Sequence, residues 1–272
     1  MENSNFIYEI PQLVSIDVET TGLFPLSGDR ICEIALLKIK EGVIIDKFVT
    51  LVNPEKEISL SASLINGITN EMVKNTPPFK NIANKVNDFI KNEILLIHNA
   101  NFDLSFLKIE MKNCGVQFNE TKLIDTLEIA RNFFNFQSNS LPNLANYLRI
   151  EGGKFHRAEA DAWTSYKIFC YLFQELKKKG TSLNQILTLT SQIDITLTPQ
   201  EILPENIIKN LGKGVRVKIK YINRNGEISL REIEPLEIVN EGGRWYLIGF
   251  CHLKKEERKF KFDRILDVIE NI

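Results

Sequence analysis

The stretch SIDVETTGL places Asp17 and Glu19 two residues apart on what reads as a buried strand. Side chains alternate along a strand, so both carboxylates leave one face while Ile16 and Val18 take the other. Acidic residues are depleted in strands and neighbouring carboxylates repel. The pair is therefore either a solvated edge face or a site for a hard cation, which turns the repulsion into attraction. Two further segments carry the same ambiguity. In HNANFDLSFL a buried strand gives way to a helix, with Asp103 expected in its first turn and Asn101 as its cap. A carboxylate there complements the helix dipole, but a strand end in an α/β sheet is also where ligands bind. In FHRAEAD, Asp161 lies near the start of a long helix beside Ala160, Ala162 and Trp163, and a carboxylate in so apolar a setting needs a partner. His156 would lie roughly 140° from Asp161 if both were helical. The two converge only if His156 stands in the preceding loop, which Gly152 and Gly153 permit.

The elements that must carry these groups follow from periodicity. LVSIDVE, ICEIALLKIK, GVIIDKFVTLV and EILLIHNA read as strands; NIANKVNDFIKN, LSFLKIEMKNCG, TLEIARNFFNF, SLPNLANYL and AEADAWTSYKIFCYLFQELKKKG read as helices. The last has an acidic first turn, lysines in its last turn and Gly180 as its stop. Strands followed by alternation with helices predict an α/β sheet covered by helices. From Lys177 to about Thr198 the pattern is weak, a linker or a loose helix, before TPQEILPENIIKNLG predicts a short capped helix closing on Gly212. The remainder is different in kind. VRVKIKY alternates, NRNG is a hairpin turn, and EISLREIEPLEIV, RWYLIGF and RKFKFDRI are further short strands, which together predict a small, strongly bent all-β barrel. The expected division is 8–178 for the α/β domain, 179–210 for a linker with a short helix, and 211–272 for the β-rich domain.

Bulk properties set the outer limits. A chain of 272 residues is one large domain or two unequal ones, and 43% hydrophobic with 25% charged residues excludes disorder, collagen and coiled coil. No run approaches the roughly 20 apolar residues of a membrane helix, and the polar N-terminus MENSNFIYEIPQ is no export signal, so a cytoplasmic protein with no membrane partner is expected. Cys32, Cys114, Cys170 and Cys251 are scattered and predict reduced thiols. The formal net charge of −1 divides into +3 from Leu211 onward and −4 before it, which suggests two units with different tasks.

Taken together, DxETTG, HNAxFDxxFL and HxAxxD, in this order over about 170 residues, resemble the DEDDh exonucleases, the group that contains the proofreading subunit of bacterial DNA polymerase III. INGIT-x-EMV and IDTLEIAR match the same texture. The resemblance implies an RNase H-like fold, a mixed five-stranded sheet flanked by helices, and 3′→5′ hydrolysis of nucleic acid to nucleoside 5′-monophosphates. Asp17, Glu19, Asp103 and Asp161 would then be catalytic carboxylates holding two Mg²⁺ or Mn²⁺ ions about 4 Å apart, with His156 as general base. The tyrosine subtype carries its Tyr four residues before the last Asp; here that position is Arg157, and the His lies five before, so the His subtype fits. Thr20, Thr21, Gly22, Leu23, Asn66, Asn99 and Phe102 resemble residues that bind the terminal nucleotide. Two departures stand out: Asn66 where relatives often carry His, which alters the grip on that nucleotide, and Phe155 in place of the first of a frequent His pair.

The tail resembles the WYL domain, through Arg231, Pro235, Trp245-Tyr246-Leu247, Phe260, Asp263, Arg264 and Ile265; Lys261 stands where many relatives have Arg, keeping charge and losing the bidentate fork. Alternation predicts Trp245 and Leu247 in the core and Tyr246 on the opposite face. Tyr246, Arg258, Lys261 and Arg264, with Arg216, Lys218 and Lys220, are the candidate surface for phosphates and stacked bases, or an ordinary solvated face. WYL domains resemble SH3-like or Sm-like barrels that sense ligands or single strands.

The leading expectation is a metal-dependent exonuclease, DNA favoured and RNA open, with a replication or repair polymerase as a potential partner. Its rivals are an exoribonuclease or oligoribonuclease, and a ligand-sensing regulatory protein using the nuclease fold as a scaffold. The intact set Asp17, Glu19, Asp103, His156 and Asp161 argues against the scaffold.

Overall fold

The computed structural model describes residues 4–118, 122–153, 155–190, 203, 205–241 and 244–269. The chain divides into two compact units. The first comprises Met1–Thr20, Arg30–Glu57 and Thr69–Thr196, the second Thr21–Asp29, Ile58–Ile68 and Leu197–Ile272.

The first unit is built on a five-stranded sheet of order β3-β2-β1-β4-β5, with β1 Leu13–Thr20, β2 Ile31–Lys40, β3 Val43–Leu51, β4 Ile94–Ile97 and β5 Leu123–Asp125. β1, β2 and β3 run antiparallel, while β4 and β5 run parallel to β1. β1 and most of β2 are buried, as their nearly unbroken apolar runs require of strands covered on both faces. The even positions Val14, Ile16 and Val18 pack with Phe79, Val86 and Phe106 from α3 (Phe79–Ile90) and α4 (Ala100–Asn113). The other face meets α7 (Ala158–Lys178), whose Ala162, Phe169, Leu172 and Phe173 join Leu13, Ala35 and Leu37. Lys179 and Gly180 end that helix, Gly180 at φ +85°, as its terminal lysines and glycine predict. The expected mixed five-stranded sheet with flanking helices is present.

Short elements escaped the periodicity. α1 (Leu60–Asn66) and α2 (Asn70–Val73) start at Ser59 and Thr69, whose side chains accept from Ala62 N and Met72 N. β5 is three residues long and merges in sequence with α5 (Thr126–Phe133). The weakly patterned stretch after α7 contains α8 (Leu183–Thr190), where Thr190 donates to the Leu123 carbonyl and so ties the helix to β5. The rest of that predicted linker, 191–202, which includes the start of the expected capped helix, lies outside the described residues. α6 (Leu141–Tyr147) falls where SLPNLANYL placed it. Among the described residues, no helix is long and apolar enough to cross a membrane.

The second unit contains α9 (Glu205–Asn210) and an antiparallel sheet of order β10-β6-β7-β8-β9: β6 Val217–Ile222, β7 Ile228–Glu241, β8 Arg244–Cys251, β9 Glu256–Lys261 and β10 Ile265–Ile269. β9 and β10 stand at opposite ends of this order, yet only the turn Phe262–Arg264 joins them. In a flat sheet their axes would lie about 19 Å apart, beyond the roughly 14 Å that so short a connector spans. The sheet must curl. Tyr221 of β6 accordingly meets Phe260 of β9 edge to face at 5.2 Å, and Lys261 N donates to the Tyr221 hydroxyl at 3.3 Å. The core gathers Ile207, Ile219, Ile233, Leu247, Cys251, Phe260 and Phe262. Leu23 and Phe24 of the segment Thr21–Asp29 pack against it, Phe24 with its ring centroid 6.2 Å from that of Phe262.

Candidate active site

β1 is a central strand with β2 on one side and β4 on the other, so Asp17 and Glu19 do not lie on a solvated edge. Their face looks toward α7, where the Ser15 hydroxyl donates to the Ala162 carbonyl at 2.7 Å. A small residue on each side, Ser15 and Ala162, lets helix and strand approach closely. Asp161 precedes Ala162 and is carried onto the same face. One carboxylate oxygen from each of Asp17, Glu19 and Asp161 lies within 4.8 Å of the others.

Asp103 reaches β1 differently. β4 pairs with β1 only as far as Ser15, opposite Leu96. Beyond that point the strands part, and the N-terminus of α4 enters the crevice, with Asp103 Oδ1 accepting from Val18 N at 2.9 Å. Asp103 is not one of the three converging ligands, yet its charge is the leading electrostatic influence on Asp17 after burial itself. Asn101 is not the cap of this helix, contrary to expectation. The helix starts at Ala100, with Asn99 at the cap position in the left-handed region at φ +70°, and its own side chain makes no capping bond. The capping acceptor is Asp125, at the end of β5, which accepts from Asn99 N at 3.1 Å and Ala100 N at 2.8 Å and also caps α5 through Leu127 N at 2.8 Å.

The electrostatics are those of a site short of positive charge. Burial pushes Glu19 up to about 9, with Asp161, Glu33 and Asp103 adding to the rise and Arg157 opposing it. Asp17 keeps part of its surface in water, yet lost hydration and the fields of Asp103, Glu19, Asp161 and Glu33 hold it well above the usual carboxylate range. Asp103 is raised by burial against the bonds it accepts from Val18 N and its own backbone. Asp161 rises to about 6, chiefly through burial, while a bond from His156 N to Oδ2 at 2.8 Å opposes the shift. Its Oδ1 is buried with no hydrogen-bond partner among the described residues. An orphaned acceptor among crowded carboxylates, all hard oxygen donors, fits a divalent cation.

His156 stands in the loop before α7, at φ +62°, with its side chain exposed. Sequence reasoning missed Glu33. It lies on β2 directly opposite Glu19, buried, and takes a two-pronged bond from Arg157 at 2.6 and 3.0 Å. A single charge inside the apolar run ICEIALL was the signal for it. Of the other predicted residues in this unit, Thr20 is buried beside a bulge in the β1–β2 ladder, and Phe102 packs 5.0 Å from Phe106.

In the second unit, the Asp29 carboxylate accepts from the Thr21 hydroxyl at 3.3 Å and from Phe24 N at 3.1 Å, closing the segment into a tight loop. Gly22 is required there, since a Cβ would sit 2.3 Å from the Asp29 carboxylate. Asn66 is buried and accepts from Ile68 N at 2.9 Å. Tyr246 and Lys261 face each other across β8 and β9, with the Lys261 ammonium on Asp263 and Arg264 in the adjoining turn. Arg258 falls on the alternate face, that of Phe260, and pairs with Glu256 at 3.1 Å, so it does not join them. Leu247 is in the core as expected, Trp245 packs partly buried against it, and Lys218 and Lys220 are exposed on β6.

Residues 14–169 match the profile of a family described as Exonuclease, and residues 205–270 that of the WYL domain. The 3′-5′ exonuclease DinG of Bacillus subtilis (strain 168) is 32% identical over 233 residues, 85% of this chain and 24% of that protein. DNA polymerase III subunit epsilon of Rickettsia prowazekii (strain Madrid E) is 40% identical over 156 residues, 55% of this chain and 68% of that one. The chain thus spans about a quarter of DinG and most of epsilon. In fold, the first unit is like exonuclease X, solved in complex with 5′-overhanging duplex DNA, at a TM-score of 0.51 and 24% identity over 65% of this chain and 98% of that one.

Proposed function

The chain belongs to the exonuclease family, and from that membership we propose that it removes nucleotides from 3′ ends of nucleic acid by metal-assisted hydrolysis, with single-stranded DNA ends as the preferred substrate. The observation that carries this reading is the convergence of Asp17, Glu19 and Asp161, with Asp161 Oδ1 buried and without a partner among the described residues. Asp17, Glu19 and Asp161, with Asp103 beside Asp17, would hold Mg²⁺ or Mn²⁺, two ions in the full reading. Such ions supply Lewis acidity and neutralise the charge of the scissile phosphate.

The chain's own groups do the rest. An imidazole, whose ordinary pKa is near 6.5, suits proton transfer at neutral pH. His156 takes the proton of the attacking water on its ring nitrogen and carries it to solvent, to which its side chain is open. Asp161 Oδ2 holds the backbone N–H of His156, so base and ligand are fixed relative to each other. Asn99 and Phe102, at the start of α4, and Thr20, at the end of β1, are the nucleotide contacts in this unit. In the second unit, Tyr246 with Lys261 and Arg264 would stack and neutralise a strand or a nucleotide-like regulator.

Matched DNA and RNA oligonucleotides with 3′ overhangs, 5′-labelled and incubated with Mg²⁺ or Mn²⁺, test this directly. Ladders shortening one nucleotide at a time establish polarity, and the relative rates decide the sugar preference. Internal cleavage, or no metal-dependent cleavage of either polymer, sinks the reading.

A further inference from the structure

Glu33 is a buried carboxylate beside the converging three for which the proposed chemistry has no use, and it is firmly held. Its side chain is 4% exposed and accepts from Arg157 Nε at 3.0 Å, Arg157 Nη2 at 2.6 Å and Ala158 N at 3.0 Å. Stability alone does not account for it. Burial costs the Glu33 carboxylate hydration that an ion pair only roughly repays, its partner Arg157 is 39% exposed and partly screened by solvent, and the carboxylate stands directly across the ladder from Glu19, where like charges repel. What the arrangement does secure is position. Arg157 follows His156, and Ala158 is the first residue of α7, so one buried carboxylate on β2 grips the chain on the helix side of His156.

His156 itself sits at φ +62°, a conformation that costs a residue with a Cβ free energy and survives only where the surroundings enforce it. Three restraints enforce it. His156 N is bound to Asp161 Oδ2 at 2.8 Å, Asp161 N returns to the Arg157 carbonyl at 3.0 Å, and the Arg157 fork closes on Glu33. On the other side of the loop the Phe155 ring lies so close over Gly152 that a Cβ there would approach to 2.6 Å, which directs the chain into His156.

We propose that Glu33 and Arg157 are positioning residues for His156: the fork between the buried Glu33 carboxylate and the half-exposed Arg157 guanidinium sets the loop that presents the imidazole to the attacking water. This rests on the general-base reading above and extends it to two residues that touch neither substrate nor metal. A 1 Å misplacement of a catalytic group can cost about 10²-fold, so Arg157→Ala lowers kcat roughly 10- to 100-fold while KM stays within about twofold. The thermal stabilisation by Mn²⁺ is retained, because Asp17, Glu19 and Asp161 remain. Arg157→Lys, which keeps the charge and loses the fork, recovers part of the rate, and Glu33→Gln, nearly isosteric, falls between.

The deciding measurement is a double-mutant comparison in single-turnover kinetics on a 5′-labelled oligonucleotide with Mn²⁺. If the fork acts through the imidazole, Arg157→Ala adds no further loss in the His156→Ala background. An equal loss in both backgrounds, or a wild-type kcat in Arg157→Ala, overturns the positioning role while leaving His156 as base. A wild-type rate in His156→Ala alone removes the general-base reading, and this proposal with it.

Discussion

Glu19 and Glu33 stand directly opposite each other on β1 and β2, two buried carboxylates in one rung of a sheet. Arg157 compensates Glu33, while Glu19 is left facing Asp17 and Asp161. Without cations, burial and the neighbouring carboxylates favour the protonated form of Glu19.

The pH dependence of the metal-free protein therefore has a definite sign. Unfolded carboxylates ionise near pH 4, whereas Glu19 keeps its proton up to about 9 and Asp161 to about 6 in the native state. Between those limits the native state binds more protons than the unfolded chain, so stability falls as pH rises. Thermal melts in EDTA from pH 5.5 to 8.5 should show a declining Tm, and Glu19→Gln should flatten the decline. Parallel curves for the two proteins would mean that Glu19 is not the strained group.

Asp17→Asn removes one converging ligand and part of the repulsion together. The variant should lose metal-dependent hydrolysis and Mn²⁺-induced stabilisation, yet melt higher than wild type in EDTA at pH 8. Loss of activity alone would fit many explanations; all three changes together fit the relief of a crowded cation site.

His156→Ala should cost roughly 10²–10⁴ in rate, the worth of a positioned general base. The wild-type rate should fall on the acid side as the imidazole takes up its proton, and the variant should lose that limb. Retention of the acid limb in His156→Ala would assign it to another group.

The parts of the fold that were legible in the sequence are those whose burial is two-sided and whose chemistry is repeated. β1 and β2 are apolar runs because both faces are covered, and the positions of β1 that break the rule, Asp17 and Glu19, converge with Asp161 of α7. Glu33 breaks it too, but its partner Arg157 is 124 residues away, and no local pattern links the two. The cap of α4 failed for the same reason. Asn101 looked suitable by spacing, whereas the acceptor is Asp125, supplied by a strand too short to show alternation. In the barrel, alternation placed Leu247 inside, but Arg258 sits three residues from Lys261 along β9 and so faces the other way.

Asp125 carries more than a cap. Its carboxylate joins the start of α4 to the start of α5, and α4 delivers Asp103 one turn later. Asp125→Ala leaves several buried N–H groups unpaired and should destabilise by about 2–4 kcal/mol, against roughly 1 for an ordinary cap. Chemical denaturation measures this, and assay well below the midpoint should still show lowered kcat, because Asp103 shifts with its helix. A loss of stability with unchanged kcat would show that Asp103 holds its place through Val18 alone.

The role proposed for the barrel is better tested by side chains than by truncation. Removing residues 200–272 would strip Phe262 and its neighbours from Phe24 and Leu23, so changes in the Thr21–Asp29 loop would be confounded with loss of a binding surface. Tyr246 and Lys261 avoid this, since they face each other across the ladder on the side away from Leu247 and Phe260. If Lys261 neutralises a phosphate, Lys261→Ala should reduce the slope of log affinity against log salt for single strands by about 0.7. If Tyr246 stacks on a base, Tyr246→Ala should weaken binding by about 1–3 kcal/mol at every salt concentration with the slope preserved. The two signatures are separable in one fluorescence-anisotropy titration series, and Arg258→Ala, on the other face and paired with Glu256, should produce neither. Wild-type affinity and slope in both Tyr246→Ala and Lys261→Ala would exclude this face as a strand tether, leaving a small nucleotide-like ligand to be sought by competition at the same two residues.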